Sequence, residues 1–151
     1  IYCRAITKVV NEPKTEIREY ILRDILNLAL LNTDNHGRNT AVLRDGDQIK
    51  LSPLFDFAPI FLDPEGIGRL SRWDKERPGG QPEWPAICED LKEILDPTET
   101  REWPVSLSDK VSMLPDIMKR CQVEEDVIHR LIKRIDDVAK NLKEAKPVII
   151  A

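Results

Sequence analysis

Polar residues that could take part in phosphoryl transfer lie within one stretch of the chain, residues 31–59. Asp34 and Asn39 are five residues apart, and Asp56 follows Asn39 by seventeen residues. Carboxylate and amide oxygens are hard ligands of the kind that magnesium prefers, and a carboxylate can also orient a hydroxyl group and accept its proton. The stretch therefore predicts a phosphoryl-transfer site in which Asp34 acts on the substrate hydroxyl, while Asn39 and Asp56 hold metal ions.

The residues between Asn39 and Asp56 predict a β-hairpin that would bring these side chains together. Residues 40–43 and 48–51 are two short strand-like segments, and residues 44–47 (RDGD) between them contain the Asp-Gly turn signal. A hairpin returns the chain to its starting point, so Asp56 is expected beside Asn39. Each motif alone is also compatible with an ordinary polar hairpin, so the prediction depends on their order and spacing.

The motifs resemble those of a known protein family. Residues 32–39 (NTDNHGRN) and 52–56 (SPLFD) resemble the catalytic core of the HipA-type serine/threonine kinases of bacterial toxin–antitoxin systems. They are more distantly similar to phosphoinositide kinases, in which a D-x-H-x-x-N arrangement replaces H-R-D. The resemblance implies ATP as the phosphate donor and Mg²⁺ as the cofactor. It assigns catalysis to Asp34, nucleotide binding to His36, Arg38 and Asn39, and metal binding to Asn39 and Asp56.

By this resemblance the chain is expected to be the C-terminal catalytic lobe of an ATP-dependent serine/threonine protein kinase, the toxin of a toxin–antitoxin module. The implied partners are a protein substrate and either an antitoxin or a separate N-lobe chain. The sequence has no glycine-rich loop or V-A-I-K-like strand before Asp34, and residues 56–58 (DFA) lack the glycine of D-F-G. The chain alone is therefore expected to bind ATP poorly and to be inactive, with the nucleotide-binding lobe on a missing segment or on another chain.

Two other hypotheses use the same residues. The first is a non-catalytic regulatory or binding module that keeps the kinase C-lobe fold. The second is a metal-dependent hydrolase that uses Asp34, His36 and Asp56, and it would require further histidine or glutamate ligands nearby. The other histidine, His129, is expected to face solvent and receives no catalytic role.

Composition places the chain among soluble globular proteins. Of its residues, 41% are hydrophobic and 33% are charged. A chain of 151 residues has the size of one domain, which can bury about 70% of its unfolded surface. A net charge of −4 argues against direct nucleic-acid binding, and no apolar run approaches the ~20 residues that span a membrane. Cys3, Cys88 and Cys121 are odd in number and widely spaced, which predicts reduced, buried thiols in a cytoplasmic protein.

The predicted fold is mainly α-helical with one small β-hairpin, as in the C-lobe of a protein kinase. Apolar periodicity predicts helices over residues 16–31 and 124–145, and the first of these would position the catalytic loop that follows it. A polar connection is expected over residues 98–104. The single domain, residues 1–151, is divided into a catalytic loop (32–39), a metal-binding segment (54–59), an activation-segment-like loop (60–85) and a helical remainder (86–146). The basic residues of the long loop are expected to be solvated: Arg69, Arg72, Lys75 and Arg77.

Overall fold

The computed structural model describes residues 2–145, apart from the side chains of residues 97–101. This part of the chain is mainly helical with two small antiparallel sheets, which confirms the predicted mainly α-helical fold with a small hairpin. The chain divides into two compact units, Ile1–Ser71 and Arg72–Ala151. No helix within residues 2–145 has the length and apolar character to cross a membrane. Residue 146, the end of the predicted helical remainder, lies outside the described residues.

The first unit is built on one long helix followed by a hairpin. Its elements are α1 (Tyr2–Ile6), α2 (Pro13–Ala29), a 3₁₀ turn (Gly37–Asn39), β1 (Val42–Asp45), β2 (Gln48–Leu51) and a second 3₁₀ turn (Ile60–Leu62). The sequence predicts no helix before residue 16, so α1 is an additional element. The apolar face of α2 is buried, as its periodicity predicts, through Ile17, Ile21, Ile25 and Leu28.

Helix α2 begins and ends earlier than the predicted range of 16–31. Pro13 occupies its first turn, where the N–H that proline lacks would have no partner in the helix. At the other end, the backbone N–H of Asn32 donates to the carbonyl of Asn27 (3.0 Å) across Leu31, whose φ is +52°. This is the hydrogen bond of a Schellman cap, with leucine where glycine is usual. Because glycine is the sequence signal for this cap, the sequence alone predicts a helix that is too long.

The hairpin forms where the sequence predicts it. Strands β1 and β2 pair antiparallel, with Val42 opposite Leu51 and Asp45 opposite Gln48. Gly46 has a φ of +60° in the connecting turn, a conformation that glycine adopts without strain. Strand β1 is exposed throughout, whereas Leu51 of β2 is buried, so β2 is the strand that fixes the hairpin to the unit.

Within residues 72–145, the second unit contains a short hairpin and four helices. They are β3 (Glu76–Arg77), β4 (Gln81–Pro82), α3 (Trp84–Asp90), α4 (Pro97–Ser112), α5 (Leu114–Arg120) and α6 (Glu125–Lys143). Helix α6 matches the predicted last helix and packs against α4. Its buried face comprises Ile128, Leu131, Ile135, Val138 and Leu142.

Two expectations for the second unit are wrong. Residues 98–104 are not a polar connection but part of α4, which begins at Pro97 and contains Pro104. A proline inside a helix removes one backbone hydrogen bond, and here its ring is fully buried, so packing offsets that loss. Cys121 is exposed just after α5, in contrast to the buried Cys88 and, in the first unit, Cys3.

Candidate functional site

A cleft in the first unit collects most of the predicted site residues. It encloses about 430 Å³, open solvent included. Asp34, His36, Asn39 and Asp56 all line it, so the hairpin returns Asp56 to the loop that carries Asp34. Arg38, by contrast, is exposed and lies outside the lining of this cleft. Three acceptor side chains separated in sequence therefore share one concave surface.

A hydrogen bond across the loop fixes Asn39 against Asp34. The Asn39 side-chain Nδ2 donates to the backbone carbonyl of Asp34 at 2.8 Å. The 3₁₀ turn Gly37–Asn39 supports this contact, because the Asn39 backbone N–H donates to the carbonyl of His36 at 2.9 Å. Since the amide nitrogen is used inside the loop, the amide oxygen remains available as a ligand. The five-residue interval is therefore the length that lets Asn39 close the loop on Asp34.

His36 lies beside the Asp34 carboxylate. Its Nε2 is 3.4 Å from Asp34 Oδ1. Its Nδ1 is buried and has no hydrogen-bond partner among the residues that the structure describes. His36 therefore lies in the cleft next to Asp34, and its predicted contact with a phosphate stays a prediction.

Two tyrosines lie next to the catalytic loop. A Cβ on Gly37 would be 2.7 Å from the hydroxyl oxygen of Tyr2, so glycine lets the Tyr2 ring approach the loop backbone. Tyr20 lines the cleft, with its ring centroid 6.4 Å from that of Tyr2. Burial raises the pKa of the Tyr20 hydroxyl, and the charge of Asp24 raises this pKa further. Tyr20 is therefore a neutral hydroxyl at physiological pH.

The segment that leads to Asp56 is held by helix α2. Arg23 Nη2 donates to the backbone carbonyl of Ser52 at 2.7 Å, and Arg23 Nε donates to Glu19 Oε1 at 2.8 Å. Asp56 itself has a φ of +54°, in the left-handed region that aspartate tolerates better than most residues. The backbone thus turns sharply at Asp56, which lines the cleft.

Two side chains attach the hairpin to the rest of the unit: Glu16 in the first turn of helix α2, and Asn11 just before the helix. The buried carboxylate of Glu16 accepts a hydrogen bond from the backbone N–H of Leu51 (2.8 Å). The side-chain oxygen of Asn11 accepts one from the N–H of Ile49, and the N–H of Asn11 donates to the Ile49 carbonyl at 3.0 Å. Helix α2 therefore positions both the hairpin and the segment that leads from the hairpin to Asp56.

The side chains at the cleft fit a magnesium ion that is bound together with phosphate. Asn39 offers its amide oxygen and Asp56 its carboxylate, and both line the same cleft. In residues 2–145 there is no group of three or more histidine, cysteine, aspartate or glutamate side chains that could hold a metal ion. Magnesium bound with a nucleotide needs only one or two protein ligands, because phosphate oxygens and water complete its coordination.

An ion pair that the sequence does not predict involves Asp24, which lines the cleft. Arg69 was predicted to be solvated, but its side chain is only 13% exposed and its Nη2 lies 2.9 Å from Asp24 Oδ2. Asp24 is 8% exposed on the apolar face of α2. A carboxylate at a core position of an amphipathic helix is a signal for a buried partner. The sequence contains that signal, although it does not identify Arg69.

A scan against protein-family models matches the HipA-like C-terminal domain over residues 2–141. The match extends across both compact units. No curated protein and no solved structure gives a match. The likeness expected from residues 32–39 and 52–56 thus extends over almost the whole sequence, and the chain belongs to the HipA-like C-terminal domain family.

Proposed function

We propose that this chain is the catalytic C-lobe of an ATP-dependent serine/threonine protein kinase. The convergence of Asp34, Asn39 and Asp56 on one cleft carries the proposal. The five-residue interval between Asp34 and Asn39 matches that of the kinase catalytic loop, and Asp56 follows them in the order of its metal-binding aspartate. Membership of the HipA-like family, which is generally kinase-related, supports it independently of this geometry.

In the proposed reaction, Asp34 accepts the proton of a serine or threonine hydroxyl on a protein substrate. The hydroxyl oxygen then bonds to the terminal phosphorus of ATP, and the bond to the ADP oxygen breaks. Asn39 and Asp56 would hold magnesium, which supplies positive charge to the triphosphate. His36 would orient the Asp34 carboxylate, since its Nε2 lies 3.4 Å from Asp34 Oδ1.

A toxin role in a toxin–antitoxin module is part of the proposal and is supported by membership of the HipA-like family. An antitoxin protein would then be a partner, and the chain would act in the cytoplasm. The nucleotide needs a cradle of backbone amides and a lysine, for which this sequence has no matching motif. We therefore propose that activity requires a nucleotide-binding lobe, on the same chain or on another.

Paired substitutions test the assigned roles in the protein supplied with a nucleotide-binding lobe. Asp34→Asn is expected to lower phosphotransfer by about 10²–10⁴-fold, the usual contribution of a positioned base, with MgATP affinity unchanged. Asp56→Asn is expected to weaken MgATP binding as well, because a metal ligand loses its charge. Asparagine also tolerates the left-handed backbone of residue 56, so this change tests the carboxylate alone.

The control is Asp47→Asn, an exposed carboxylate in the hairpin turn that should leave both measurements unchanged. Phosphotransfer is followed with radiolabelled ATP, and nucleotide binding is followed by calorimetry. Undiminished turnover in Asp34→Asn would remove that residue from the mechanism. Absence of phosphotransfer in the unaltered protein would favour a non-catalytic module that keeps this fold.

A further inference from the structure

The side chain of Asn35 joins three segments of the first unit. Its Nδ2 lies 3.2 Å from Asp24 Oδ1 on helix α2 and 3.2 Å from the backbone carbonyl of Ser71. Its Oδ1 accepts a hydrogen bond from the backbone N–H of Ser71 at 3.3 Å. One amide side chain therefore pairs with both backbone groups of Ser71, much as a neighbouring strand would.

The same carboxylate that receives Asn35 also binds Arg69. The two oxygens of Asp24 are divided between them, Oδ1 to Asn35 and Oδ2 to Arg69 Nη2 at 2.9 Å. Asp24 is almost fully buried, and the Arg69 side chain is largely so. A buried charge that loses its partner is strongly destabilising, so Asp24 favours the arrangement in which Arg69 is present.

We propose that these contacts form a latch, made of Asp24, Asn35, Arg69 and the backbone of Ser71, in which Asn35 is a positioning residue. The latch holds residues 69–71, in the loop that follows Asp56, against the catalytic loop. The effect of the latch on phosphotransfer rests on the proposed function, whereas the existence of the latch is independent of that function.

The position of Asn35 in the chain explains why the latch would matter for chemistry. Asn35 directly follows Asp34, so its three hydrogen bonds fix the backbone next to the proposed base. Placing a base within hydrogen-bond reach of a hydroxyl requires sub-ångström precision, and a misplacement of about 1 Å lowers the rate about 10²-fold. When the latch opens, residues 69–71 are released and the backbone next to Asp34 loses these hydrogen bonds.

Hydrogen–deuterium exchange of the 151-residue chain tests the latch without any catalytic assay. The amide of Ser71 should exchange about tenfold faster in Asn35→Ala, because the group that accepts its hydrogen is removed. Ser71→Ala is the matched control. It removes the hydroxyl but keeps the backbone N–H and carbonyl that Asn35 binds, so exchange at residue 71 should stay slow. Unchanged exchange in Asn35→Ala, or fast exchange in Ser71→Ala, would overturn the latch.

Swapping the carboxylate and the amide between residues 24 and 35 tests the role of Asp24 as the shared acceptor. Asn35→Asp keeps an oxygen for the Ser71 N–H but places a second carboxylate against Asp24, so it should open the latch. Adding Asp24→Asn to that variant restores an amide–carboxylate pair between residues 24 and 35. The double variant should therefore exchange more slowly at residue 71 than Asn35→Asp alone, and the absence of any rescue would contradict the arrangement.

Kinetics of the protein supplied with a nucleotide-binding lobe then test the positioning role. In Asn35→Ala we expect kcat to fall about 10²-fold with the KM for ATP nearly constant, because the base moves and the nucleotide does not. Ser71→Ala should retain full kcat. If exchange at residue 71 rises but kcat is unchanged, the positioning role is wrong. If the latch variants behave as expected in exchange but the unaltered protein transfers no phosphate, the proposed function fails and the latch stands.

Discussion

At the scale of single residues, the spacing of residues along the chain allowed the site residues to be predicted, whereas pairs of residues distant in sequence were not predicted. Asp34, Asn39 and Asp56 were predicted from intervals along the chain, and the structure brings them to one cleft. The pairing of Asp24 with Arg69 joins residues 45 apart, and no local interval marks it. Spacing along the chain is information that one sequence carries, whereas the partner of a buried charge depends on the tertiary fold.

The three cysteines provide a prediction at this scale. Burial raises the pKa of the Cys3 and Cys88 thiols to about 11, whereas Cys121 is exposed. Because the thiolate is the reactive form, a disulfide reagent at pH 8 should modify Cys121 rapidly and the other two slowly. All three should react in denaturant. Rapid modification of Cys3 or Cys88 in the folded protein would show that the thiol is not buried.

The same thiols predict how stability depends on pH. Unfolded, they release their protons near the ordinary pKa of 9.0, and folded only near 11, so the folded state binds more protons between these values. Stability should therefore decrease as pH rises from 9 to 11, with the full contribution present below pH 9. Urea unfolding across this range measures the decrease. The double variant Cys3→Ala and Cys88→Ala should show a shallower slope, and an equal slope would assign the decrease to other groups.

At the scale of elements, helix existence was predicted and helix ends were not. Helices α2 and α6 follow their apolar periodicity, because burial of one face decides them. The end of α2 depends on a backbone cap at Leu31, a residue that carries no capping signal. The start of helix α4 was not predicted, because its first residues are polar and proline is unfavourable inside a helix.

The fastening of the hairpin to α2 gives a prediction for this scale. Glu16→Ala removes the acceptor of the buried Leu51 N–H and should destabilise the protein by about 1–3 kcal/mol, the cost of an unsatisfied buried donor. Glu19→Ala, one turn along, removes a partly exposed ion pair with Arg23 and should change stability by less than about 1 kcal/mol. Urea unfolding of both variants decides it. Equal effects would show that the Glu16 contact does not hold the hairpin.

At the scale of the whole molecule, the family match over residues 2–141 and the cleft in the first unit point to one function, but neither supplies a nucleotide cradle. Helices α2 and α6 each bury an apolar face, so the chain should fold by itself. The carboxylates of Asp34 and Asp56 repel a triphosphate unless magnesium screens them. The affinity of the isolated chain for ATP should therefore depend on bound magnesium.

Calorimetric titration of MgATP into the 151-residue chain is therefore expected to give a Kd on the order of 1 mM or weaker, because few contacts oppose the loss of ligand freedom. Adding a nucleotide-binding lobe should strengthen binding by at least tenfold. Asp56→Asn should abolish the residual binding in magnesium, since it removes a metal ligand. Asp34→Asn should strengthen ATP binding when magnesium is absent, since it removes a repelling charge. Tight binding by the isolated chain would place the nucleotide site elsewhere, because three acceptors alone cannot hold a polyanion.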